Sequence, residues 1–427
     1  MDWSKRFSSD RRSLFIGGSR KLHIPKLYMK DLKSTPIPSG GMKGNPNTLF
    51  RQKELAMGLS KAISRIASEL EEDVKIMNFC GTHEWTITHF GLRTLMPKNI
   101  ELVAGPGCPV CITPGYYVDT AIRLALDGVR VFAYGDTYRL PGRPRSDGPK
   151  TLEEAKSRGA DIRIVYSVRD AIRIAKADGR DSVFLAVGFE TTAPATLSPL
   201  VNGSMPENLT FINVHRLTPP IMRYVLDNYP ESPIRGVIAP GHVSTITGAS
   251  AWEFVPKEYG IPIIVTGFEP IDVLIAILEI LKQLKEGKPS LVNEYRRAVS
   301  WEGNRKAHKM IEETCEIVDS GWRGIGFVPK SGLRFKGKFR RFDSFEIYGI
   351  QELTKELWRE DLSPGCRCAE ITLGIAKPTD CPMFMKGCTP ESPYGPCMVS
   401  SEGTCSIWAR YGGGVMLEEI AEDLGLS

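Results

Sequence analysis

Residues 75–84 read KIMNFCGTHE, a short and largely apolar run that ends directly in Cys80-Gly81. Short apolar runs of this kind are typical of buried β-strands, and a glycine at the end of a strand lets the backbone turn into a helix. A short apolar run followed by a helical pattern recurs along residues 75–285. This alternation predicts parallel sheets that are covered by helices on both faces.

The pattern yields eight candidate strands and several helices. The strands are Lys75–Phe79, Glu101–Ala104, Val129–Tyr134, Asp161–Tyr166, Ser182–Val187, Thr210–Val214, Arg235–Ala239 and Pro262–Val265. The helices are a periodic stretch from Leu55 to Leu70, Tyr117–Leu126, Val168–Ala177, Pro219–Asn228, about Ile271–Lys285 and a polar stretch at about Leu291–Ala298. Eight strands could close a barrel, but two smaller open sheets fit the distribution of motifs better.

We therefore expect the α/β fold class, with two open, mostly parallel sheet domains and a small Cys-rich iron–sulfur domain at the C-terminus. The first two domains are predicted at residues 49–150 and 151–300, because prolines and glycines cluster at 136–160. The third is predicted at residues 301–427, where 315–350 resemble short strands and turns and 362–405 hold few apolar residues for a core. Residues 1–48 are predicted as a poorly ordered basic extension.

Composition limits the classes of function. With 427 residues, 42% of them hydrophobic, the chain can build cores without disulfides, so its ten cysteines suggest ligands or redox groups. The formal net charge of +5 gives no strong footprint for nucleic acid. No stretch reaches the roughly 20 uninterrupted apolar residues of a membrane span, and no secretory signal is evident. We expect a soluble cytoplasmic protein.

Four unusual motifs follow predicted strands, at the sheet edge where functional groups gather in α/β proteins. They are Cys80-Gly81-Thr82-His83-Glu84, Gly105-Pro106-Gly107-Cys108-Pro109-Val110-Cys111, Gly188-Phe189-Glu190-Thr191-Thr192 and Pro240-Gly241-His242-Val243-Ser244. A shared location for thiol, imidazole, carboxylate and hydroxyl groups is what an assembled site requires.

Cys80 is predicted at the start of a helix, where the helix dipole would lower the pKa of its thiol. His83 would share its face if the turn is helical, and Cys with His at this spacing can hold an iron ion with open positions. A buried Cys beside a His that caps a loop is the commoner arrangement for an isolated pair. The polar neighbours Thr82 and Glu84 favour a functional role here.

Cys108 and Cys111 form a C-x₂-C motif with a proline inside. Such a pair can form a disulfide reversibly, but it also suits zinc or an iron–sulfur cluster. Its glycines and prolines indicate a tight loop, which favours a preorganised redox pair. Glu190 and His242 are candidates for proton transfer or for orienting a ligand, although each could be an ordinary loop residue. No dinucleotide or Walker pattern is present.

The remaining chemistry lies in a C-x-C-x₁₂-C-x₆-C-x₈-C-x₇-C array. Its members are Cys366, Cys368, Cys381, Cys388, Cys397 and Cys405. Six thiols exceed the four that one cubane cluster needs, which leaves two that could form a disulfide. Structural zinc stays possible, but the usual pair of C-x₂-C knuckles is missing. The array therefore predicts a soft-metal or iron–sulfur module.

Taken together, these motifs resemble the HypD family of hydrogenase maturation proteins, over about residues 50–412. The resemblance rests on CGTHE, GPGCPVC, GFETT, PGHVS and the tail strings around Cys381, Cys388 and Cys397 up to Gly403. The basic N-terminal extension departs from the family pattern, as do Glu84 and Trp85. The resemblance implies a scaffold on which the Fe(CN)₂CO moiety of nickel–iron hydrogenases is assembled.

The resemblance also implies partners and site residues. The family works with a small chaperone, HypC, and receives cyanide from HypE, which carries a thiocyanate made with HypF; the hydrogenase large subunit is an indirect partner. Cys80 would hold the iron together with a chaperone cysteine, His83 would lie nearby, and Cys108 and Cys111 match the family's dithiol pair. The 4Fe–4S ligands would be Cys366, Cys381, Cys388 and Cys405. Cys368 and Cys397 would form a second thiol pair between cluster and active site.

Two alternatives remain at this stage. The chain could be a free-standing thiol–disulfide oxidoreductase in which a cluster feeds electrons to a partner through Cys108 and Cys111. It could also be a zinc-stabilised interaction protein without catalysis. The scaffold hypothesis requires distant sulfur atoms to converge, since Cys80 and the tail array lie far apart in the sequence.

Overall fold

The computed structural model describes residues 53–145, 147–229, 233–359 and 361–413. The predicted extension at residues 1–48 lies outside them. The strands are β1 (Val74–Asn78), β2 (Ile100–Ala104), β3 (Arg130–Ala133), β4 (Ile162–Ile164), β5 (Ser182–Gly188), β6 (Leu209–His215), β7 (Ile234–Ala239), β8 (Ile263–Val265), β9 (Leu291–Asn293), β10 (Cys315–Trp322) and β11 (Gly326–Phe335).

The α-helices alternate with these strands. They are α1 (Lys53–Ala67), α2 (Gly81–His89), α3 (Gly115–Leu126), α4 (Gly135–Tyr138), α5 (Leu152–Ser157), α6 (Val168–Asp178), α7 (Ala193–Val201), α8 (Thr218–Asn228), α9 (Gly241–Thr247), α10 (Pro270–Glu286), α11 (Arg305–Thr314), α12 (Ser344–Ile347), α13 (Cys368–Thr372), α14 (Pro396–Val399) and α15 (Thr404–Tyr411). None of the described helices is long and apolar enough to cross a membrane.

The strands form two parallel sheets and one hairpin. The five-stranded sheet has the order β2-β1-β7-β8-β9, and the four-stranded sheet has the order β4-β3-β5-β6. Every pairing within these two sheets is parallel, whereas β10 and β11 pair antiparallel. The α/β prediction with two open sheets is therefore confirmed, and the strands do not close a barrel.

The two sheets interleave along the chain. The chain leaves the five-stranded sheet after β2, builds the whole four-stranded sheet, and then returns for β7, β8 and β9. β3 lies before residue 150, yet it pairs with β4 and β5 of the four-stranded sheet. The chain therefore does not pass from one sheet to the other at residue 150. β7, one of the two neighbours of β1, lies more than 150 residues after it in the sequence.

All eight predicted strands are confirmed within one or two residues, but one predicted helix is wrong. Residues 291–293, predicted at the start of a polar helix, form β9 and pair with β8 from Leu291 to Asn293. A three-residue strand is too short to show alternation, and its backbone pairs with a sheet edge that local sequence does not reveal. The predicted strands and turns at 315–350 correspond to the β10–β11 hairpin and the turns after it.

The C-terminal segment shares a hydrophobic core with the four-stranded sheet. Ile371, Met398 and Trp408 are at most 3% exposed and belong to the same cluster of buried residues as Val131 and Leu185. Cys108, Cys111 and five of the six tail cysteines belong to this cluster too. The described part of the tail therefore has no separate core among these clusters, and its apolar side chains complete a core built by the sheet.

Candidate metal and thiol site

Cys80 occupies the junction of β1 and α2. It is the residue immediately before the helix, with an extended backbone (φ −151°, ψ 128°), and Gly81 begins the helix. The predicted position of Cys80 at the start of a helix is confirmed, but the predicted lowering of its thiol pKa is wrong. Burial and the nearby negative charge of Glu402 raise the pKa of the Cys80 thiol to about 11, and backbone hydrogen bonds from Thr82 and His83 offset this only in part. Desolvation outweighs the helix dipole here.

Glycines allow two other segments to lie directly against Cys80. A Cβ atom on Gly107, in the loop after β2, would lie 2.5 Å from both the nitrogen and the Cα of Cys80. A Cβ atom on Gly81 would lie 2.4 Å from the carbonyl oxygen of Glu402, in the tail. No side chain fits at either position without moving backbone, so both contacts depend on glycine.

Three sulfur atoms line one small cavity at this junction. Cys80 lines it together with Cys108 and Cys111 from the loop after β2, and with Glu402 and Thr404 from the tail. Cys108 and Cys111 form a disulfide with their Cα atoms 5.4 Å apart, and the backbone N–H of Cys111 donates to Cys108 Sγ at 3.2 Å. The C-x₂-C pair is thus placed beside Cys80, as a redox pair that serves this thiol would need.

The six tail cysteines line a second cavity. They share it with Met383, Phe384, Gly395 and Met398. The thiols of Cys366, Cys368, Cys397 and Cys405 influence one another's pKa, because Cys368 interacts with Cys366 and Cys397, and Cys397 with Cys405. Cys388 Sγ accepts from the backbone N–H of Tyr394 at 3.4 Å. Because Cys368 interacts with both Cys366 and Cys397, these interactions do not separate four ligands from a remaining pair.

The donor set of this second cavity suits an iron–sulfur cluster. No three His, Cys, Asp or Glu side chains within the described ranges are close enough to hold a single metal ion. The six thiols instead line one cavity, and thiolates are the usual ligands of iron–sulfur clusters. Backbone N–H groups that donate to sulfur, as at Cys388 and Cys397, are typical of such sites.

One glycine packs against residues that line both cavities. A Cβ atom on Gly403 would lie 2.0 Å from the carbonyl oxygen of Cys397 and 3.1 Å from Cys111 Sγ. The backbone at Gly403 therefore packs against both the disulfide and Cys397, which lines the six-thiol cavity. Sulfur groups from residues 80, 108 and 111 and from the tail converge, as the scaffold hypothesis requires.

His83 lies behind Cys80 and does not line its cavity. The ring is fully buried and stacks on Phe268, with ring centroids 4.6 Å apart. Nε2 is 2.8 Å from the carbonyl oxygen of Gly267, so this nitrogen carries the proton and Nδ1, which has no partner, is the acceptor. Burial lowers the pKa of His83 to about 4, so the ring is neutral at physiological pH.

Glu84 joins the helix that starts at Cys80 to the helix that carries Cys405. Its carboxylate accepts from Arg93, at 2.9 Å to each oxygen, from Asn78 at 3.0 Å and from Trp408 Nε1 at 2.8 Å. Burial alone would raise the pKa of Glu84, but the charge and hydrogen bonds of Arg93, with those of Trp408 and Asn78, outweigh it and lower the pKa. Glu84 is therefore a buried, ionised anchor.

The two later motifs do not reach the sulfur atoms. Glu190 is buried and accepts from the backbone N–H of Thr218 at 2.6 Å and from its hydroxyl at 2.8 Å, so it fixes the start of α8. Burial raises the pKa of Glu190 to about 7. His242 is exposed at the start of α9, with its ring 4.0 Å from that of Phe268. His242 thus lies across Phe268 from His83, and neither residue lines the two sulfur cavities.

Sequence reasoning missed three residues around Cys80. Glu402 and Thr404 line its cavity, and Asp136, after β3, accepts from Ser400 Oγ at 2.9 Å. The sequence signal for the tail residues was the string Ser400–Gly403, which is part of the family resemblance but had no role assigned to it. Asp136 follows a predicted strand, so the rule that placed the other motifs also pointed to it.

The fold and site define a cysteine-rich α/β protein whose sulfur groups meet in two adjoining cavities, one suited to a redox pair and one to a metal cluster. The family model described as "HypD: Hydrogenase formation hypA family" matches residues 54–412. The chain therefore belongs to the HypD family.

Relatives named as hydrogenase maturation or formation proteins match over most of their length. The chain is 43% identical to the hydrogenase maturation factor HypD2 of Bradyrhizobium diazoefficiens, over 85% of this chain and 96% of that protein. It is 44% identical to a putative hydrogenase expression/formation protein of Methanocaldococcus jannaschii, over 83% and 97%. Among solved structures, a uroporphyrinogen III synthase of Thermus thermophilus aligns at 11% identity and a TM-score of 0.20, covering 56% of this chain and 96% of that one, which is too weak a likeness to carry an argument.

Proposed function

We propose that the protein is a hydrogenase maturation factor that assembles the Fe(CN)₂CO moiety of nickel–iron hydrogenases. The iron is its cargo, held at Cys80 together with a cysteine of a HypC-type chaperone. Cyanide comes from a HypE-type partner that carries a thiocyanate, and the completed moiety passes to the hydrogenase large subunit. We place this work in the cytoplasm, where thiols are kept reduced.

The convergence of Cys80 with the Cys108–Cys111 pair is the observation that carries the proposal. A soft thiolate is a suitable anchor for iron(II) that takes up cyanide and carbon monoxide. The thiol of Cys80 is protonated at physiological pH, because burial and Glu402 raise its pKa to about 11. Binding of iron therefore releases a proton from Cys80, as is usual when a cysteine becomes a metal ligand.

The Cys108–Cys111 pair supplies the two electrons that cyanide transfer consumes. Cleavage of the S–C bond of a thiocyanate takes up two electrons and yields a thiolate and cyanide. Oxidation of Cys108 and Cys111 from dithiol to disulfide releases two electrons and two protons, so the two half-reactions balance. The cyanide carbon then binds the iron at Cys80. The disulfide in the structure corresponds to the pair after it has given up its electrons.

Within the iron–sulfur region proposed for residues 301–427, Cys366, Cys381, Cys388 and Cys405 would hold a 4Fe–4S cluster. Cys368 and Cys397 would form the second thiol pair, next to Gly403. A bound cluster supplies single-electron transfer. The chain's own contribution is to hold these thiols in one buried cavity, with Cys405 N–H donating to Cys397 Sγ at 3.3 Å.

Infrared spectroscopy of the chain expressed with its small chaperone tests the proposal. We expect bands from iron-bound cyanide and carbon monoxide in the complex and none in a complex that carries Cys80→Ala. Cys315→Ala is a matched control, because Cys315 is also a buried thiol with a pKa of about 11 but lies in a different core cluster. Retention of the bands in Cys80→Ala would contradict the scaffold role.

A free-standing thiol–disulfide oxidoreductase is the second candidate, favoured by the disulfide that lies beside Gly403 and the six-thiol cavity. The two functions differ in what Cys80 does. An oxidoreductase keeps its rate of disulfide reduction in Cys80→Ala and loses it in Cys108→Ala. A scaffold loses hydrogenase maturation in both variants, so the two assays together separate the candidates.

A further inference from the structure

The tail residues Ser400–Gly403 form a strap across Cys80. Glu402 packs on the start of α2, where a Cβ atom on Gly81 would lie 2.4 Å from its carbonyl oxygen and 2.6 Å from its Cβ. Glu402 also lines the Cys80 cavity, and its charge raises the pKa of the Cys80 thiol. Cys80 is partly exposed, and this strap lies beside it at the wall of its cavity.

One end of the strap is tied to the four-stranded sheet. Asp136 Oδ2 accepts from Ser400 Oγ at 2.9 Å and from the backbone N–H of Ser401 at 3.3 Å. Ser400 Oγ in turn accepts from the backbone N–H of Glu402 at 3.2 Å. Asp136 lies in α4, directly after β3, so a carboxylate on the edge of one sheet holds a segment that covers a thiol on the other.

The other end is tied to the five-stranded sheet through α15, which starts at Thr404. Trp408 Nε1 donates to Glu84 at 2.8 Å, and the Arg93 guanidinium lies 5.0 Å above the Trp408 ring. Glu84 is 1% exposed and is fixed by Arg93 and by Asn78 of β1. The strap is therefore held from both sheets, and each tie depends on one buried or partly buried carboxylate.

We propose that Asp136 and Glu84 are positioning residues that hold the strap over Cys80 and so control access to its thiol. The inference rests on the proposed function in that Cys80 is the iron site that incoming groups must reach. Loss of either tie frees one end of the strap while the sheets that carry Cys80 and the disulfide stay intact. Local opening of this kind raises the reactivity of a covered group without global unfolding.

The test is the alkylation rate of individual cysteines in the full-length chain under anaerobic conditions, with iodoacetamide and readout by mass spectrometry. Asp136→Ala removes the first tie, and Trp408→Phe removes only the N–H donor of the second. Asp136→Asn keeps one oxygen, which is enough because both bonds go to Oδ2. Cys315, 4% exposed and with a similar pKa of about 11, is the internal reference for general loosening.

We expect Cys80 to react about tenfold faster in Asp136→Ala and in Trp408→Phe, the change that loss of about one hydrogen bond to a charged group produces. Asp136→Asn should react like the unaltered chain, and Cys315 should not change in any variant. Unchanged Cys80 rates in both disruptive variants, or an equal rise at Cys315, would overturn the proposal. Alkylation needs neither iron nor a hydrogenase, so this result is independent of whether the scaffold role holds.

Discussion

The two parallel sheets use their carboxyl edges differently. The edge of the five-stranded sheet carries Cys80 after β1 and the Cys108–Cys111 pair after β2, and both line one cavity. The edge of the four-stranded sheet carries Glu190 after β5, which fixes the first residue of α8. Both positions follow buried strands and both motifs look unusual in sequence. A residue at the end of a strand can therefore belong to a functional site, but whether it does depends on which side chains lie around it.

The same contrast holds for two buried carboxylates. Glu84 faces Arg93 and stays ionised, with a lowered pKa, whereas Glu190 has only the neutral donors of Thr218 and a pKa raised to about 7. A charge partner offsets desolvation, and hydrogen bonds from neutral groups offset it only in part. Substitutions at corresponding positions of the two edges should therefore differ in their effects.

The largest expected difference lies in function. Cys80→Ala should lower hydrogenase activity by at least about 100-fold in cells that depend on this chain, because the iron loses its anchor. Glu190→Gln should lower it less than about threefold, since its contacts fix a helix start far from the sulfur atoms. The measurement is hydrogenase activity at equal levels of each variant. Similar losses in both variants would show that Glu190 takes part in the reaction.

The next largest effect is expected on the free energy of unfolding when the charge of Glu84 is removed. Glu84→Gln leaves Arg93 without its negative partner and should lower the free energy of unfolding by about 3 kcal/mol at neutral pH. The folded-state pKa of Glu84 is lowered, so its contribution is present above 4.5 and is lost as the pH falls. Denaturant unfolding at pH 7 and pH 4 measures both effects. A constant difference between variant and parent across this range would contradict the assignment.

Glu190→Gln should show the opposite pH dependence. Because its folded-state pKa is raised from 4.5 to about 7, Glu190 favours the folded state below 4.5 and loses this contribution as the pH rises through 7. The glutamine variant should therefore match the parent near pH 5 and exceed its unfolding free energy at pH 8.5 by about 2 kcal/mol. If the difference in unfolding free energy between variant and parent is the same at pH 5 and pH 8.5, the pKa of Glu190 is not raised. Glu190 would then be ionised at both pH values, and its contrast with Glu84 would be wrong.

The smallest expected effect concerns how tightly a glycine is packed at each of the two edges. Gly107→Ala places a Cβ 2.5 Å from backbone atoms of Cys80, so the loop must move and the unfolding free energy should fall by about 1 to 2 kcal/mol. Gly135→Ala, after β3, meets nothing within 4 Å and should be neutral or stabilising by about 0.5 kcal/mol. Thermal unfolding of both variants measures the difference. Equal midpoints would mean that the loop after β2 does not need to touch Cys80.

Much of the fold was readable because its signals are local. Eight buried strands alternate with helical patterns, and the rule that parallel strands present their carboxyl ends at one edge predicted that the motifs after β1 and β2 would meet. Strand order is not local, so the sequence did not show that β7 returns beside β1. β9 was mistaken for helix because three residues carry too little pattern to compete with a neighbouring helical stretch.

The site itself was only partly predictable. The convergence of sulfur atoms followed from residue types and strand ends, but the protonated state of Cys80 did not, because its raised pKa depends on burial in the fold and on the charge of Glu402 in the tail. The role of Glu84 depends on Trp408, 324 positions later. Contacts across such separations leave no trace in spacing or periodicity, so a single sequence marks the residues as unusual without assigning what they bind.

The return of the chain to β1 has a consequence for biosynthesis. Both upstream sulfur motifs emerge from the ribosome before the residues that flank and cover them, since β7 begins at Ile234 and the cover over Cys80 ends at Gly403. A nascent chain therefore exposes Cys80 without its lining until residue 403 has been synthesised. Translation order thus delays the closing of this pocket until long after both upstream motifs have been made.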